Sequence, residues 1–417
     1  MEYNPRKIDE KLEFWLKRKE YIIIRGPRQS GKTTTLLYFK EKTENSEYIS
    51  LEDENWRKIL EEDAKKFAEL ILSRGKRVLF LDEAQYVKEI GKKLKYIYDF
   101  YGDKLKIVAT GSGSFDIKVE VGKHLVGRAL YLELLPLSFE EFLMWKAKDL
   151  YKIFVEYLNS FFEFLNSGKL ETNLIFEKEF LRYLEEYIIF GSFPAIVKEE
   201  NYEVKKELLK NLVTTYVERD VFYFLGIKNV EKFSNLMRVL SYSIGNLISP
   251  FSLSQDLKID FKTLEKYLEI LKQTYLISLI PPFYKNLITE IKKSKKVYFL
   301  DLGIVNYFLR NFNPLNFRSE SEIGKLIENF IFIQLRNYFE NIYFWRTTAK
   351  AEIDFIVLKD DKIIPIEVKF KDYKLSKGFY SFLKTYKPKV AIVFTLGKFG
   401  VEKVYETNVA YIPHYFI

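Results

Sequence analysis

A glycine-containing loop between an apolar run and a helix-forming run has residue types that could bind phosphate. Gly26 and Gly31 are separated by four residues, Lys32 and Thr33 follow directly, and the apolar, β-branched residues 22–24 come before them. Glycine lets the backbone approach an anion closely, and the amides at the start of a helix favour negative charge. The order of strand, loop and helix therefore predicts a phosphate cradle rather than a simple connection.

This cradle predicts a nucleotide cofactor, and we expect ATP and its product ADP. Lys32 would reach the β- and γ-phosphates and assist catalysis, and the Thr33 hydroxyl would ligate Mg²⁺. The residues expected to contact the nucleotide form one continuous stretch: Gly26, Pro27, Arg28, Gln29, Ser30, Gly31, Lys32, Thr33 and Thr34.

Two acidic residues, Asp82 and Glu83, follow a second apolar run at residues 78–81. Such a run is typical of a parallel strand that is buried on both faces, and α/β sheets bind their ligands beyond the carboxyl ends of the strands. Asp82 would hold Mg²⁺, and Glu83 would orient or deprotonate the attacking water. Alone, the two acids could equally be solvated; beside a phosphate loop they indicate hydrolysis.

Two further polar positions could complete a hydrolytic site. A third predicted strand, residues 106–110, ends at Thr110, and Ser112 follows it; either could sense the γ-phosphate or position water, and Ser112 is our catalytic candidate. Arg128 precedes another predicted strand and could act as an arginine finger, in its own chain or in a neighbouring copy. A structural salt bridge is the equally open alternative for Arg128.

Composition places the chain in the globular class. Its 417 residues, 47% of them hydrophobic, predict two to four domains and exclude global disorder. The absence of cysteine excludes disulfides and thiolate zinc sites, and two histidines cannot form a His-rich metal site. No apolar run approaches the roughly 18–20 residues of a membrane span. Residues 1–10 also lack a signal-peptide core, so we expect a cytoplasmic protein without a membrane partner.

The net charge of +9 is unevenly distributed along the chain. Residues 281–417 contain 22 Lys and Arg against 14 Asp and Glu, whereas the first 280 residues contain 45 against 44. A basic region is typical of proteins with a polyanionic partner, so DNA is expected, although a solvated lysine-rich face has the same composition.

Residues 228–282 resemble a winged helix, with predicted helices at residues 229–244, 252–257 and 261–275 and a wing that starts at 276–282. The predicted recognition helix is not strongly basic, because its lysines alternate with acids. DNA contact and a protein interface therefore both remain open.

The basic third contains a second set of acids. Two predicted strands, residues 351–357 and 363–369, carry Asp354 on the first and Glu367 and Lys369 on one face of the second. Glu328 lies on a preceding amphipathic helix. A half-exposed hairpin with solvated charges would show the same alternation.

Several motifs resemble those of AAA-type P-loop ATPases. They are Gly-Pro-Arg-Gln-Ser-Gly-Lys-Thr, Phe-Leu-Asp-Glu-Ala-Gln and Thr-Gly-Ser-Gly-Ser. A more specific set resembles a largely archaeal and bacterial group with a C-terminal domain of unknown function: Gly-Arg followed by Leu-Leu-Pro-Leu-Ser-Phe-Glu-Glu-Phe, then Gly191-Ser192-Phe193-Pro194 and Tyr216-Val217-Glu218-Arg219-Asp220. This resemblance implies a helical lid in the aromatic-rich residues 139–227.

The acids of the basic third resemble the core of the restriction-endonuclease-like nucleases, which has a helix Glu, an Asp and then Glu-x-Lys. The resemblance implies that Glu328, Asp354 and Glu367 bind Mg²⁺ and that Lys369 positions or activates water.

We therefore predict an α/β multidomain protein: a P-loop AAA-type core with a parallel sheet (1–138), a helical lid (139–227), a winged helix (228–282) and an α/β nuclease-like domain (283–417). The expected function is Mg²⁺-dependent ATP binding and hydrolysis, acting on or regulated by DNA, in a chain that could form a homo-oligomer. One alternative is a nucleotide-gated DNA nuclease that uses Asp354, Glu367 and Lys369. Another is a slow nucleotide switch that acts as a non-enzymatic regulator.

Overall fold

The computed structural model describes residues 3–111, 124–216, 229–283, 294–349 and 351–417. The chain divides into two compact units, and each is described by itself. The first comprises Met1–Pro136 and Glu269–Leu276, and the second Leu137–Leu268 and Ile277–Ile417. None of the helices in these described ranges is long and apolar enough to span a membrane.

The first unit is built on a five-stranded parallel sheet in the order β2-β3-β4-β1-β5. Its strands are β1 (Tyr21–Arg25), β2 (Ser46–Ser50), β3 (Val78–Asp82), β4 (Lys106–Gly111) and β5 (Ala129–Glu133). The helices Ile8–Leu16 and Lys32–Lys42 pack on one face, and Glu54–Glu62, Ala64–Ser73 and Ile90–Tyr101 on the other. The predicted α/β fold with a parallel sheet is confirmed. Because all five strands run in one direction, the carboxyl ends of β1, β3 and β4 lie at the same edge of the sheet.

The second unit begins with a helical region of five described helices: Phe139–Lys146, Lys148–Ser167, Glu177–Phe190, Pro194–Lys198 and Tyr202–Thr215. Most of its aromatic side chains form a buried core, as at Phe139, which packs edge-on against Tyr187 and Phe330. The Gly191–Pro194 motif has a structural role here. A Cβ on Gly191, whose φ is +75°, would lie 2.2 Å from the Asp301 carboxylate, which accepts the Ser192 amide at 2.7 Å.

A small antiparallel sheet in the order β6-β8-β7 follows. Its strands are β6 (Leu247–Ile248), β7 (Ile277–Ile280) and β8 (Lys295–Phe299), and the helices Val230–Tyr242, Pro250–Asp256 and Phe261–Gln273 precede β7 in the chain. β8 pairs with both β6 and β7, so the predicted boundary after residue 282 lies between two paired strands of this sheet.

The C-terminal part of the second unit contains a six-stranded mixed sheet in the order β13-β14-β12-β11-β10-β9. Its strands are β9 (Ile342–Arg346), β10 (Glu352–Lys359), β11 (Lys362–Val368), β12 (Val390–Phe394), β13 (Gly400–Val404) and β14 (Thr407–Ile412). The helices in this part are Leu302–Leu309, Glu320–Arg336 and Lys377–Tyr386. β10 and β11 form an antiparallel hairpin in which Phe355 pairs with Ile366. This antiparallel register places Asp354, one residue before Phe355, close to Glu367, one residue after Ile366.

Candidate nucleotide site and C-terminal carboxylate cluster

The loop after β1 has a backbone that its two glycines permit. A Cβ on Gly26 would lie 2.0 Å from the Leu134 carbonyl oxygen, so a larger residue does not fit. Gly31 has φ +100°, a left-handed conformation that side chains disfavour, immediately before the helix Lys32–Lys42. The buried Lys32 donates from Nζ to the carbonyls of Gly26 (3.1 Å) and Pro27 (2.6 Å). The predicted strand, loop and helix are thus present, with the ammonium group against the loop.

An arginine outside the motif braces this loop. The guanidinium of Arg6, only 6% exposed, donates to the carbonyl of Ser30 at 2.9 Å and to that of Leu135 at 2.8 Å. Leu134 in turn donates its amide to the Arg25 carbonyl at 2.7 Å. The Leu-Leu-Pro segment after β5 therefore supports the loop through its backbone. Sequence reasoning missed Arg6, since nothing near it in the chain distinguishes it from a surface arginine.

Asp82, at the end of β3, is 2% exposed and lies where three hydroxyl groups converge. Its carboxylate accepts from Thr33 Oγ1 (2.7 Å), from the Tyr48 hydroxyl (2.9 Å) and from Thr110 Oγ1. The amide of Glu83 donates to it at 3.1 Å. All these donors are neutral, so they orient the carboxylate without cancelling its charge.

The hydroxyls reach Asp82 because β2 and β4 flank β3 in the sheet. Tyr48 lies on β2 and was missed by sequence reasoning, although a tyrosine in the predicted strand at residues 47–51 was a usable signal. Burial, and then the negative charge of Asp82, raises the pKa of the Tyr48 hydroxyl well above its ordinary value. Tyr48 therefore stays a neutral donor.

The second acid, Glu83, directly follows the strand. Its φ is +55°, which is uncommon for a residue with a side chain, and its carboxylate accepts from Gln85 Nε2. Its amide also donates to Thr110 Oγ1 at 3.3 Å. Glu83 is thus held at the phosphate-loop edge beside Asp82. Ser112, our other catalytic candidate, lies outside the described residues, as do residues 217–220 of the last family motif.

Arg128 lies at the other edge of the sheet. Its carbonyl accepts the amide of Tyr21 at 2.9 Å, at the start of β1, whereas the phosphate loop follows the end of that strand. The Arg128 guanidinium donates to Asp99 at 2.7 Å. The structure therefore does not bring Arg128 to the loop of its own chain, and a finger role is left only towards a neighbouring copy.

The acids of the last third lie close together in the second unit. We call the C-terminal carboxylate cluster the set of Glu328, Glu352, Asp354 and Glu367 with their cationic neighbours Lys296, Arg346 and Lys369. Lys296 Nζ lies 2.5 Å from Glu352 and 3.6 Å from Glu328. Burial would lower the pKa of Lys296, but the nearby carboxylates, Glu328 foremost, outweigh it and raise that pKa.

The remaining acids of this cluster also have donors. Asp354 accepts the Val368 amide at 2.8 Å, and Glu367 contacts Lys369 at 2.8 Å and Ser376 at 3.2 Å. Burial, and then repulsion by Glu328, raises the pKa of Asp354 to about 8. Burial also raises the pKa of Glu367, although Lys369 opposes this.

This arrangement does not fit the Mg²⁺ site that the nuclease resemblance implies. Glu328, Asp354 and Glu367 all belong to the described residues, and there no three or more Asp, Glu, His or Cys side chains are placed to hold a metal ion. A buried lysine side chain lies among the acids instead. We therefore derive no metal-dependent step from these residues.

Comparison with known proteins separates the regions of the chain. Residues 18–143 match the family model described as an AAA domain, and residues 181–315 and 323–415 match two models described as domains of unknown function, DUF8612 and DUF4143. The uncharacterized protein MJ1544 of Methanocaldococcus jannaschii is 30% identical over 368 residues, which cover 85% of this chain and 76% of that protein. The chain belongs to the MJ1544 family. Its AAA-domain match supports a nucleotide-binding ATPase function.

More distant similarities extend beyond the archaea. An uncharacterized protein of Haemophilus influenzae is 25% identical over 372 residues, which cover 84% of this chain and 82% of that protein. A solved structure of the Aeropyrum pernix ORC2 protein in ADPNP-ADP complexes aligns with a TM-score of 0.35 at 10% identity, over 72% of this chain and 91% of that one. At that score the structural likeness supports no functional argument.

Proposed function

We propose that this MJ1544-family protein binds ATP with Mg²⁺ and hydrolyses it at the phosphate-loop edge of the parallel sheet. One observation carries the proposal: the buried Asp82 carboxylate is oriented by three hydroxyls, one of which is Thr33 in the phosphate loop. Among the described residues only neutral groups contact this buried charge. Such burial is costly, and a cation would compensate it. In the ATPase function that the AAA-domain match supports, that cation would be the Mg²⁺ that accompanies ATP.

The donor set fits Mg²⁺, which prefers oxygen ligands and few protein carboxylates. Thr33, which is exposed, and Asp82 would hold the ion. When bound, the ion would neutralise negative charge on the phosphate oxygens. The loop amides and Lys32 would bind the phosphates. Glu83 would orient the attacking water and accept its proton, and Thr110 would keep Asp82 and Glu83 in register through its contacts with both.

The test is Lys32→Ala, with Lys42→Ala as a matched control. Both lysines lie on the helix Lys32–Lys42, but Lys32 contacts the loop and Lys42 is exposed. We expect Lys32→Ala to weaken ATP binding, measured by calorimetry, at least about 100-fold and to abolish turnover, because charge-assisted contacts are among the strongest that hold phosphate. Unchanged turnover in Lys32→Ala would contradict the proposal. Tightly retained ADP with wild-type turnover far below ~1 s⁻¹ would instead favour the slow switch.

We also propose that the ATPase acts on or is regulated by DNA. The excess of basic over acidic residues in residues 281–417, 22 against 14, supports this. So do the three helices and the antiparallel sheet between Val230 and Phe299, an arrangement compatible with a winged helix. We expect duplex DNA to stimulate ATP turnover and its binding to weaken steeply with salt, as counterion release requires. Binding that is absent at low salt would contradict this part of the proposal.

A further inference from the structure

Lys296 lies among the acids for which the nuclease resemblance implies a metal ion. It lies on β8, the central strand of the three-stranded sheet, and its side chain is 2% exposed. Its ammonium group contacts Glu352 at 2.5 Å and Glu328 at 3.6 Å. Taking an ammonium group out of water costs several kcal/mol, so a lysine buried in this way is stable only among counter-charges.

Tyr298 belongs to the same arrangement. Side chains two residues apart on a strand share a face, so β8 presents Lys296 and Tyr298 together. The Tyr298 hydroxyl donates to Glu328, the carboxylate that Lys296 also approaches. One strand thus supplies both a cation and a hydroxyl donor to a single acid.

The other acids are each engaged by protein donors. Glu352 contacts Arg346 at 3.3 Å, Glu367 contacts Lys369 at 2.8 Å, and Asp354 accepts a backbone amide. The four carboxylates of the C-terminal carboxylate cluster are accompanied by three cationic side chains. The protein therefore already supplies the charge compensation that a divalent ion would otherwise provide.

The turn before β6 also encloses the cluster. Gly245 has φ +72°, and a Cβ there would lie 2.8 Å from Glu328 Oε1. Its amide donates to the Val297 carbonyl of β8 at 3.1 Å. The backbone of this turn therefore packs directly against the acid that Lys296 and Tyr298 contact.

We propose that Lys296 is the resident cation of the C-terminal carboxylate cluster and takes the place of a divalent metal ion there. The acids that resemble a nuclease centre bind the side chains of Lys296 and Tyr298 on β8. These contacts connect the three-stranded sheet to β10 and to the helix Glu320–Arg336. The cluster has a structural role and does not cleave DNA. This inference is independent of ATP hydrolysis, because it involves none of the residues of the phosphate site.

The test measures Mn²⁺ binding by calorimetry on the nucleotide-free full-length chain. The variants are Lys296→Met, the double variant Lys296→Met/Asp354→Asn, and Lys295→Met as the control, since Lys295 is the neighbouring half-buried lysine of β8. We expect Lys296→Met to gain one Mn²⁺ site that the double variant lacks. Wild type and Lys295→Met should show no site that depends on Asp354.

Any of three results would overturn the proposal. The first is an Mn²⁺ site in the wild type that Asp354→Asn removes. The second is Mg²⁺-dependent DNA cleavage that the same change abolishes. The third is a folded Lys296→Met that gains no site. If Lys296→Met does not fold, Lys296→Arg takes its place in the test, and its Mn²⁺ titration is compared with that of the wild type. A folded, metal-free Lys296→Arg supports a resident cation, and an unfolded one contradicts it.

Discussion

The phosphate site and the C-terminal carboxylate cluster both contain a buried acid near the end of a strand, Asp82 in one and Glu367 in the other, but their electrostatics differ. Asp82 is contacted by three hydroxyls and an amide, which leave its charge in place. In the C-terminal carboxylate cluster, Lys296, Arg346 and Lys369 contact the acids directly. The comparison teaches that acid spacing alone does not identify a metal site. What decides is whether the protein itself supplies the counter-charge.

The difference has an energetic consequence for each region. A buried carboxylate with neutral donors destabilises the fold until a cation binds. A buried ion pair behaves in the opposite way. Removal of one partner leaves the other charge uncompensated and lowers the stability of the fold by about 3–5 kcal/mol. Substitutions that remove charge should therefore act differently at the two places.

The largest expected effect is that of Asp82→Asn. The amide keeps the shape of the side chain but removes the charge, so we expect kcat for ATP to fall at least about 100-fold, since positioned charge commonly contributes that much or more. The same change should leave the melting temperature unchanged or raise it, because a buried charge is lost. Turnover and thermal unfolding of one preparation measure both.

Glu367→Gln is the matched control for Asp82→Asn. It also neutralises a buried strand-end acid, 3% exposed against 2% for Asp82. It removes the counter-charge of Lys369, however, so ATP turnover should stay within about two-fold while the melting temperature falls. If Asp82→Asn spared turnover, or Glu367→Gln abolished it, the contrast between the two sites would be broken.

A smaller effect should appear with pH at His414, beside the C-terminal sheet. Burial lowers the pKa of His414 from 6.5 to about 4, partly offset by its hydrogen bond with the Lys369 carbonyl at 2.8 Å. The unfolded chain takes up the proton first as the pH falls, so this stabilisation is complete above pH 6.5 and is lost towards pH 4. At pH 5 the loss is about 2 kcal/mol.

The comparison that isolates this loss is wild type against His414→Gln, with melting temperatures at pH 7 and pH 5. The wild type should lose more stability over this interval than the variant. Asp301, whose pKa burial raises to about 6, titrates in both proteins and cancels from the difference. Equal falls in the two proteins would mean that His414 is protonated in the fold without cost.

The smallest expected effect is that of Arg128→Ala on ATP turnover. Arg128 is paired with Asp99 at the sheet edge opposite the phosphate loop, so within one chain we expect less than a two-fold change. Asp99→Ala is the control that breaks the same pair. A loss of 100-fold or more in Arg128→Ala alone would show that this arginine acts on a neighbouring copy.

The sequence was sufficient for the parallel sheet, the phosphate loop and the acids after β3. These features depend on residues adjacent in the chain: apolar runs that form buried strands, and glycines whose conformations set the loop. The same local reasoning also suggested a nuclease-like site, because the spacing of its acids along the strands is a local property of the sequence. It did not predict which strands pair with β8, since strand pairing is settled by partners elsewhere in the chain.

Only the tertiary structure decided which of the described acids contact a cationic side chain. Arg6 reaches Ser30 across 24 residues, and Tyr48 reaches Asp82 across 34. Lys296 meets Glu328 and Glu352 from a different sheet, and Arg128 lies at the far end of the strands. Electrostatic interaction depends on distance through space and on burial, neither of which is written in residue spacing. The sequence by itself determined which residues could do chemistry, and folding determined which of the described acids the protein pairs with a cation.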